Sequence, residues 1–172
     1  MGPSYLVFNT SLGWVGVIGS PEGLRRLTLP QASLEQVWSV FDGSSAKWHD
    51  PVLSEARGDY FGDLPDRIRD YLDGKRVSFP DKLDLARASS FQREVWQTTK
   101  SIPYGETRSY AWVASEVGLP RAARAVGQAM ARNPLPMVIP CHRVVGTDGS
   151  LVGFGGGIEM KRRLLRLEAS AR

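Results

Sequence analysis

The chain changes its hydrophobic rhythm once, and that change restricts it to a mixed architecture. Up to Leu29 it is built from short runs of β-formers broken by turn residues. Tyr5-Leu6-Val7-Phe8 and Trp14-Val15-Gly16-Val17-Ile18 flank Asn9-Thr10-Ser11-Leu12-Gly13, which has turn composition. Residues 24–29 follow Pro21-Glu22-Gly23 as a third candidate strand. Helices are expected near 34–41 and 64–72, with Gly74 where a helix stop belongs. The mixed, proline-containing stretch 77–87 is where the two rhythms meet. We therefore expect an α+β chain: a domain over residues 1–82 with a three-stranded antiparallel sheet and helices, a linker at 83–88, and a mostly helical domain over 89–172.

The second half carries clear helix punctuation. Ser89 stands three residues before Gln92, the spacing of a capping box, and opens a helix through Phe91, Val95 and Trp96 that ends at Pro103-Tyr104-Gly105. Ser109 opens a second helix over 110–117, which stops at Gly118. Residues 121–132 form a third, closed by Asn133-Pro134. Two helices joined by a short glycine turn have the layout of a helix-turn-helix, with 121–132 in the recognition position. Such pairs also occur in proteins that never meet DNA. The third helix has small residues between its arginines, which suits either tight helix packing or close approach to a DNA groove. The apolar run Pro136-Met137-Val138-Ile139-Pro140 is readable as a short buried strand. Asp148-Gly149 signals a hairpin between Val144-Val145 and Leu151-Val152. A glycine loop, 153–157, precedes a final basic amphipathic helix over 158–168.

Charge is divided unevenly. Residues 1–84 hold nine Lys/Arg against twelve Asp/Glu, a balance of −3, and residues 85–172 hold thirteen against six, a balance of +7. The second half is thus the candidate for a polyanionic partner, although a basic surface alone does not require one. No apolar run approaches the length of a membrane span and no signal pattern opens the chain, so a cytoplasmic protein is expected. One cysteine and two histidines fall short of the usual zinc ligand sets, so no metal is expected.

The lone cysteine, Cys141, sits in Pro140-Cys141-His142-Arg143-Val144. A single cysteine is commonly a small buried hydrophobe. Basic neighbours favour the thiolate, the nucleophilic form. On a plain strand, however, Cys141 and His142 would face opposite sides, so a direct pair would need a turn or a bridging water. Glu168 lies among Leu164, Leu165 and Leu167. It is readable as a buried carboxylate orienting an imidazole, or as a surface glutamate paired with an arginine.

Taken together, these residues resemble the O6-alkylguanine-DNA alkyltransferases, the methylated-DNA–protein-cysteine methyltransferase family. The Pro140 to Val144 run is similar to the family's active-site signature. Ile102-Pro103-Tyr104-Gly105-Glu106-Thr107, Ala122-Ala123-Arg124-Ala125-Val126-Gly127, Asn133-Pro134 and Gly155-Gly156-Gly157 follow its other motifs in order. The resemblance covers residues 90–168; the N-terminal half is similar in layout only. It implies a ribonuclease-H-like first domain and a winged helix-turn-helix in the second. It implies repair of double-stranded DNA containing O6-alkylguanine, by stoichiometric transfer of the alkyl group to Cys141 after the nucleotide is flipped out. Cys141 would be linked through water to His142 and then Glu168, and Asn133 would shape the site. Arg124 would replace the extruded nucleotide and Tyr110 would help to turn it out. Met130, Pro136, Arg143, Val144, Phe154, Gly155, Gly156 and Lys161 would join them in holding substrate or DNA. No cofactor is implied; a monomer is expected, and cooperativity on DNA stays open.

Phe154 stands where the family often has Tyr, and Gly155 where some members have Ser, which removes side-chain hydrogen bonds from the base pocket. The alternatives are a non-enzymatic lesion binder, against which Cys141 itself argues, a Cys–His hydrolase, which would turn over repeatedly, and a sequence-specific regulator.

Overall fold

The computed structural model describes residues 2–43, 53–152 and 157–171. The chain divides into two compact units, Met1–Asp84 and Leu85–Arg172. Among the described residues no helix is long and apolar enough to cross a membrane.

The first unit is a sheet with strand order β3-β2-β1-β4. Strands β1 (Ser4–Thr10) and β2 (Gly13–Ser20) form an antiparallel hairpin in which Thr10 faces Gly13. The turn closes on itself: the Thr10 hydroxyl donates to the Gly13 carbonyl at 2.7 Å and accepts from the Leu12 amide at 3.2 Å. β3 (Gly23–Leu27) pairs antiparallel to β2 with a register shift at Ile18/Gly19, starting one residue earlier and ending two residues earlier than expected. A fourth strand, β4 (Ser54–Glu55), adds parallel to β1; two exposed polar residues gave no sequence signal for it. Helix α1 (Leu34–Gly43) sets Val37 and Phe41 on Ile18, with Tyr5, Val7, Trp14, Trp38 and Leu53 around them. It comes so close that a Cβ on Gly16 would stand 2.5 Å from Val37 Cγ1. Helix α2 (Leu64–Leu72) buries Leu64, Ile68, Tyr71 and Leu72, and lays Arg69 over the Phe8 ring. Residues 82–84 stay with this unit. The Leu24 amide donates to the Lys82 carbonyl at 2.8 Å, and the Asp84 amide to the Leu24 carbonyl at 2.7 Å.

The second unit packs short helices around one buried core. Helix α3 (Ser90–Lys100) begins with the expected capping box: the Gln92 amide donates to Ser89 Oγ at 3.1 Å, and the Ser89 amide to Gln92 Oε1 at 3.0 Å. Its Val95, Trp96 and Thr99 turn inward. Strand β5 (Arg108–Ser109) leads into α4 (Tyr110–Glu116), capped by Ser109 Oγ accepting from the Trp112 amide at 2.9 Å. Gly118, at φ +79, turns the chain toward α5 (Ala123–Ala131). α5 starts two residues later than the sequence suggested. Ala122 donates instead to the Leu119 carbonyl, so Arg121 belongs to the turn. α3 clamps α5 through the Trp96 indole, which donates to the Ala129 carbonyl at 2.9 Å. A short 3₁₀ turn (Cys141–Arg143), strand β6 (Val144–Val145) and α6 (Ile158–Ser170) complete the unit.

Two local expectations are corrected. Residues 136–140 are a turn, with a bridge between Pro136 and Ile139 and Met137 at φ +74, rather than a buried strand. The hairpin expected across Asp148-Gly149 does not form either. The turn is present, with the Gly146 amide donating to the Ser150 carbonyl at 2.9 Å, but β6 pairs parallel with β5.

Ser89→Ala removes one half of the capping box. It should cost about 1 kcal/mol, and Ser89→Gly only a few tenths. Urea titration of the full chain, following the transition of the second unit, checks this.

Candidate active site

Helix α6 buries two charges on one face. Lys161, Leu164 and Glu168 are spaced by three and four residues and point inward together. Lys161 is 0% and Glu168 4% exposed. A buried charge survives only when hydrogen-bonded and paired, so the partners define the site.

Glu168 receives four donors from two segments. Arg143 grips it with Nε to Oε1 at 2.8 Å and Nη2 to Oε2 at 3.1 Å. His142 Nε2 bonds Oε2. The Gly105 amide donates to Oε1 at 3.0 Å. Arg143 also sends Nη1 to the Ile102 carbonyl at 2.8 Å and lies over the Tyr104 ring. Because an ionised carboxylate only accepts, this geometry sets the neutral imidazole with its proton on Nε2 and its lone pair on Nδ1. Burial holds His142 below its ordinary pKa, opposed by the bond to Glu168.

Cys141 stands immediately before His142, at the start of the 3₁₀ turn. Asn133 fixes the approach to that turn, accepting from the Leu135 amide at 2.9 Å and donating to the Ile139 carbonyl at 2.8 Å. The thiol is buried. Desolvation pushes its pKa up; the Asn133 side chain, the Lys161 charge and backbone amides of the turn pull the other way. The resting group is therefore a thiol. The sequence suggested that the adjacent His142 and Arg143 would favour the thiolate. The structure turns both of those side chains onto Glu168, and the cation that acts on Cys141 is Lys161, twenty residues away.

Lys161 is the second hub. Its ammonium donates to the Val144 carbonyl at 2.6 Å, the Val152 carbonyl at 3.1 Å and the Tyr110 hydroxyl at 3.4 Å. The Tyr110 hydroxyl donates to the same Val152 carbonyl at 2.8 Å. Desolvation and the nearby Cys141 push the Tyr110 pKa up to about 12, so the phenol keeps its proton. The β5–β6 pair sets this geometry, since Ser109, which caps α4 just before Tyr110, faces Val145.

Thus Cys141, His142, Glu168, Asn133, Arg143, Val144, Lys161 and Tyr110 come together. Arg124 stands apart, exposed on α5. Met130 turns into the core, where its sulfur accepts from the Thr99 hydroxyl at 3.7 Å, so it packs the helix rather than facing a ligand. Pro136 lies half-buried in the bridged turn. Phe154, Gly155 and Gly156 fall outside the described residues. Sequence reasoning gave no role to Gly105 or to the Ile102 and Val152 carbonyls. The only signal was the Pro103-Tyr104-Gly105 turn, whose Gly105 takes φ +80 and aims its amide at Glu168. Among the described residues no group of three or more His, Cys, Asp or Glu could hold a metal ion.

The family model described as the DNA-binding domain of 6-O-methylguanine DNA methyltransferase matches residues 90–170. A methylated-DNA–protein-cysteine methyltransferase from Mycolicibacterium paratuberculosis is 49% identical over 154 residues, 88% of this chain and 89% of that protein. One of the same name from Mycobacterium bovis is 49% identical over 110 residues; that match spans 64% of this chain and 66% of the relative, just under two thirds of its length. In structure, the chain is similar to OGT from Mycobacterium tuberculosis, solved in complex with DNA. The TM-score is 0.79 at 37% identity, covering 97% of this chain and 93% of that one.

Lys161→Met would leave the Val144 carbonyl without its buried donor and the Val152 carbonyl with the Tyr110 hydroxyl alone. It should lower stability by about 2 kcal/mol, read from the urea midpoint. An unchanged midpoint would remove Lys161 from its structural role.

Proposed function

The chain belongs to the methylated-DNA–protein-cysteine methyltransferase family, and from that premise we propose that it repairs DNA by drawing the alkyl group of O6-alkylguanine onto Cys141. The observation that carries this reading is a buried thiol next to a histidine whose far nitrogen is held by a buried carboxylate.

The steps balance without a cofactor. As the carbon passes to sulfur, the S–C bond forms and the C–O6 bond breaks. The thiol proton leaves through a bridging water to Nδ1 of His142, and then reaches the departing guanine. The overall exchange is thiol plus O6-alkylguanine to thioether plus guanine. Glu168 stabilises the imidazolium that forms in passing. Lys161 favours the sulfur anion as it develops, which is worth more in a dry site than in water. A thioether is stable and the chain has no second cysteine to displace it, so each molecule acts once.

Guanine O6 lies at the major-groove edge of a stacked pair, and the thiol is buried. The base must therefore leave the duplex to be reached. The helix pair α4–α5 supports the docking reading. α5 exposes Arg124 and Gln128, with Arg121 and Arg132 exposed just beyond its two ends, and is otherwise made largely of small residues, which lets it sit close to DNA. Arg124 fills the gap left by the extruded nucleotide, and Tyr110 sits where the base enters. The same reading expects a cytoplasmic protein, active as a monomer.

Mass spectrometry after incubation with an O6-methylguanine duplex decides the chemistry. The protein should gain one methylene on Cys141 and Cys141→Ala none, while Cys141→Ala still binds DNA. Tight binding at unchanged wild-type mass would indicate a lesion binder instead. For the flipping role, Arg124→Ala should slow reaction with duplex by roughly tenfold or more, the equivalent of losing about 1.4 kcal/mol, and leave reaction with free O6-benzylguanine base nearly unaffected. Equal losses on both substrates would take Arg124 out of that role.

A further inference from the structure

We propose that Arg143 is a positioning residue of the proton relay: it neutralises Glu168 so that His142 waits as an uncharged base, and it makes no contact to DNA. This rests on the function proposed above.

The geometry leaves Arg143 little freedom. Its fork spans both oxygens of Glu168, and its remaining Nη1 is tied to the Ile102 carbonyl at 2.8 Å. Its side chain is 11% exposed and that of Glu168 1%. Three of the five guanidinium N–H donors, one on each nitrogen, are already taken inside the protein, which leaves this mostly buried group little to offer a phosphate. The sequence placed Arg143 among residues that hold substrate or DNA; the structure gives it a carboxylate instead.

The electrostatic consequence falls on His142. A buried imidazole facing one buried carboxylate, with nothing else nearby, gains basicity and rests as an ion pair. An imidazolium has no lone pair with which to take the thiol proton. Here a second cation shares the carboxylate, so the Glu168–Arg143 pair is neutral as a unit. The charged or titratable groups facing His142 are Glu168 and Lys161 from α6, and Arg143 and Cys141 from its own turn. The other helix packed on the turn, α3, turns Val95, Trp96 and Thr99 inward, and none of these carries a charge. Burial is the main cause that holds His142 below its ordinary pKa; Glu168 opposes it, and Arg143 and then Lys161 add to it. Arg143 is the one bonded to the same carboxylate.

The sign of the pH effect follows. The relay works while His142 is neutral, so transfer falls as pH drops through its pKa. With Arg143 present that fall lies below the ordinary histidine value of 6.5. With the charge removed, Glu168 acts on His142 unshared, and the fall moves to higher pH.

The experiment is the single-turnover rate with O6-benzylguanine as the free base, measured from pH 5 to 9, together with affinity for duplex DNA. Wild type should be flat above pH 6.5. Arg143→Gln should be slow near pH 7 and approach wild type toward pH 9. Arg143→Lys, which keeps the charge and loses the fork, should hold the acid limb near its wild-type place. Arg143→Gln with Glu168→Gln removes both charges, which guards against failure of the single variant to fold, and should bring the limb back down. Duplex affinity should match wild type throughout. A loss by the same factor at every pH would mean that Arg143 merely supports the fold and would overturn the proposal. So would an unmoved limb in Arg143→Gln, a limb that stays high in the double variant, or a loss of DNA affinity with the free-base profile intact. If wild type takes up no benzyl group, the proposed function falls; if it does and the limb stays put, only the role of Arg143 falls.

Discussion

One buried carboxylate organises the second unit. Glu168 arrives near the end of α6 with a charge that cannot be left alone in a core. Its four donors come from the turn at 102–105 and from the turn that holds Cys141, so satisfying it joins three stretches of chain far apart in sequence. The same bonds that compensate its burial also fix the imidazole tautomer. Stability and chemistry therefore depend on one set of contacts.

Lys161, two turns earlier on the same helix, does the corresponding work on the other side of the thiol. It fastens Val144, just beyond the cysteine turn, to Val152, just before the glycine loop, and touches Tyr110 at the start of α4. The two-residue parallel pair β5–β6 then matters beyond its size. It fixes the residue that opens α4 against the strand that leaves the cysteine turn, so a displacement of the helix pair would be felt at the thiol. A single amphipathic helix thus presents an anion to the histidine and a cation to the sulfur.

What was legible in the sequence was local. Ser89 with Gln92, and Ser109 before Tyr110, mark helix starts because a cap is made by neighbours within three residues. The first hairpin was legible for the same reason. Where partners are distant, local signals misled. Asp148-Gly149 does make its turn, yet Val144-Val145 pairs with β5, because a strand takes the partner that tertiary packing provides. The run at 136–140 is apolar because it is buried, and burial does not separate a strand from a turn; the bridge from Pro136 to Ile139 settles it. Glu168 could not be told from a surface glutamate until α6 was seen to turn it inward with Lys161. The motifs around Cys141 named several residues that the fold brings together, but not which cation lies against which group.

The burial that makes the thiol hard to ionise suits the single-use acceptor proposed above. An exposed thiolate would be open to any electrophile or oxidant, and each such encounter would end that molecule's usefulness. Here the sulfur rests protonated behind its own turn. The Lys161 charge lowers the thiol's pKa by less than burial raises it, and His142, kept below its ordinary basicity, does not take the proton unprompted. Each opposes the cost of burial only in part. In the proposed reaction the remaining driving force comes from the transfer itself, as charge leaves sulfur for a guanine held beside it. Reactivity is then conditional on the presence of the base, a selectivity that a permanently ionised cysteine could not have.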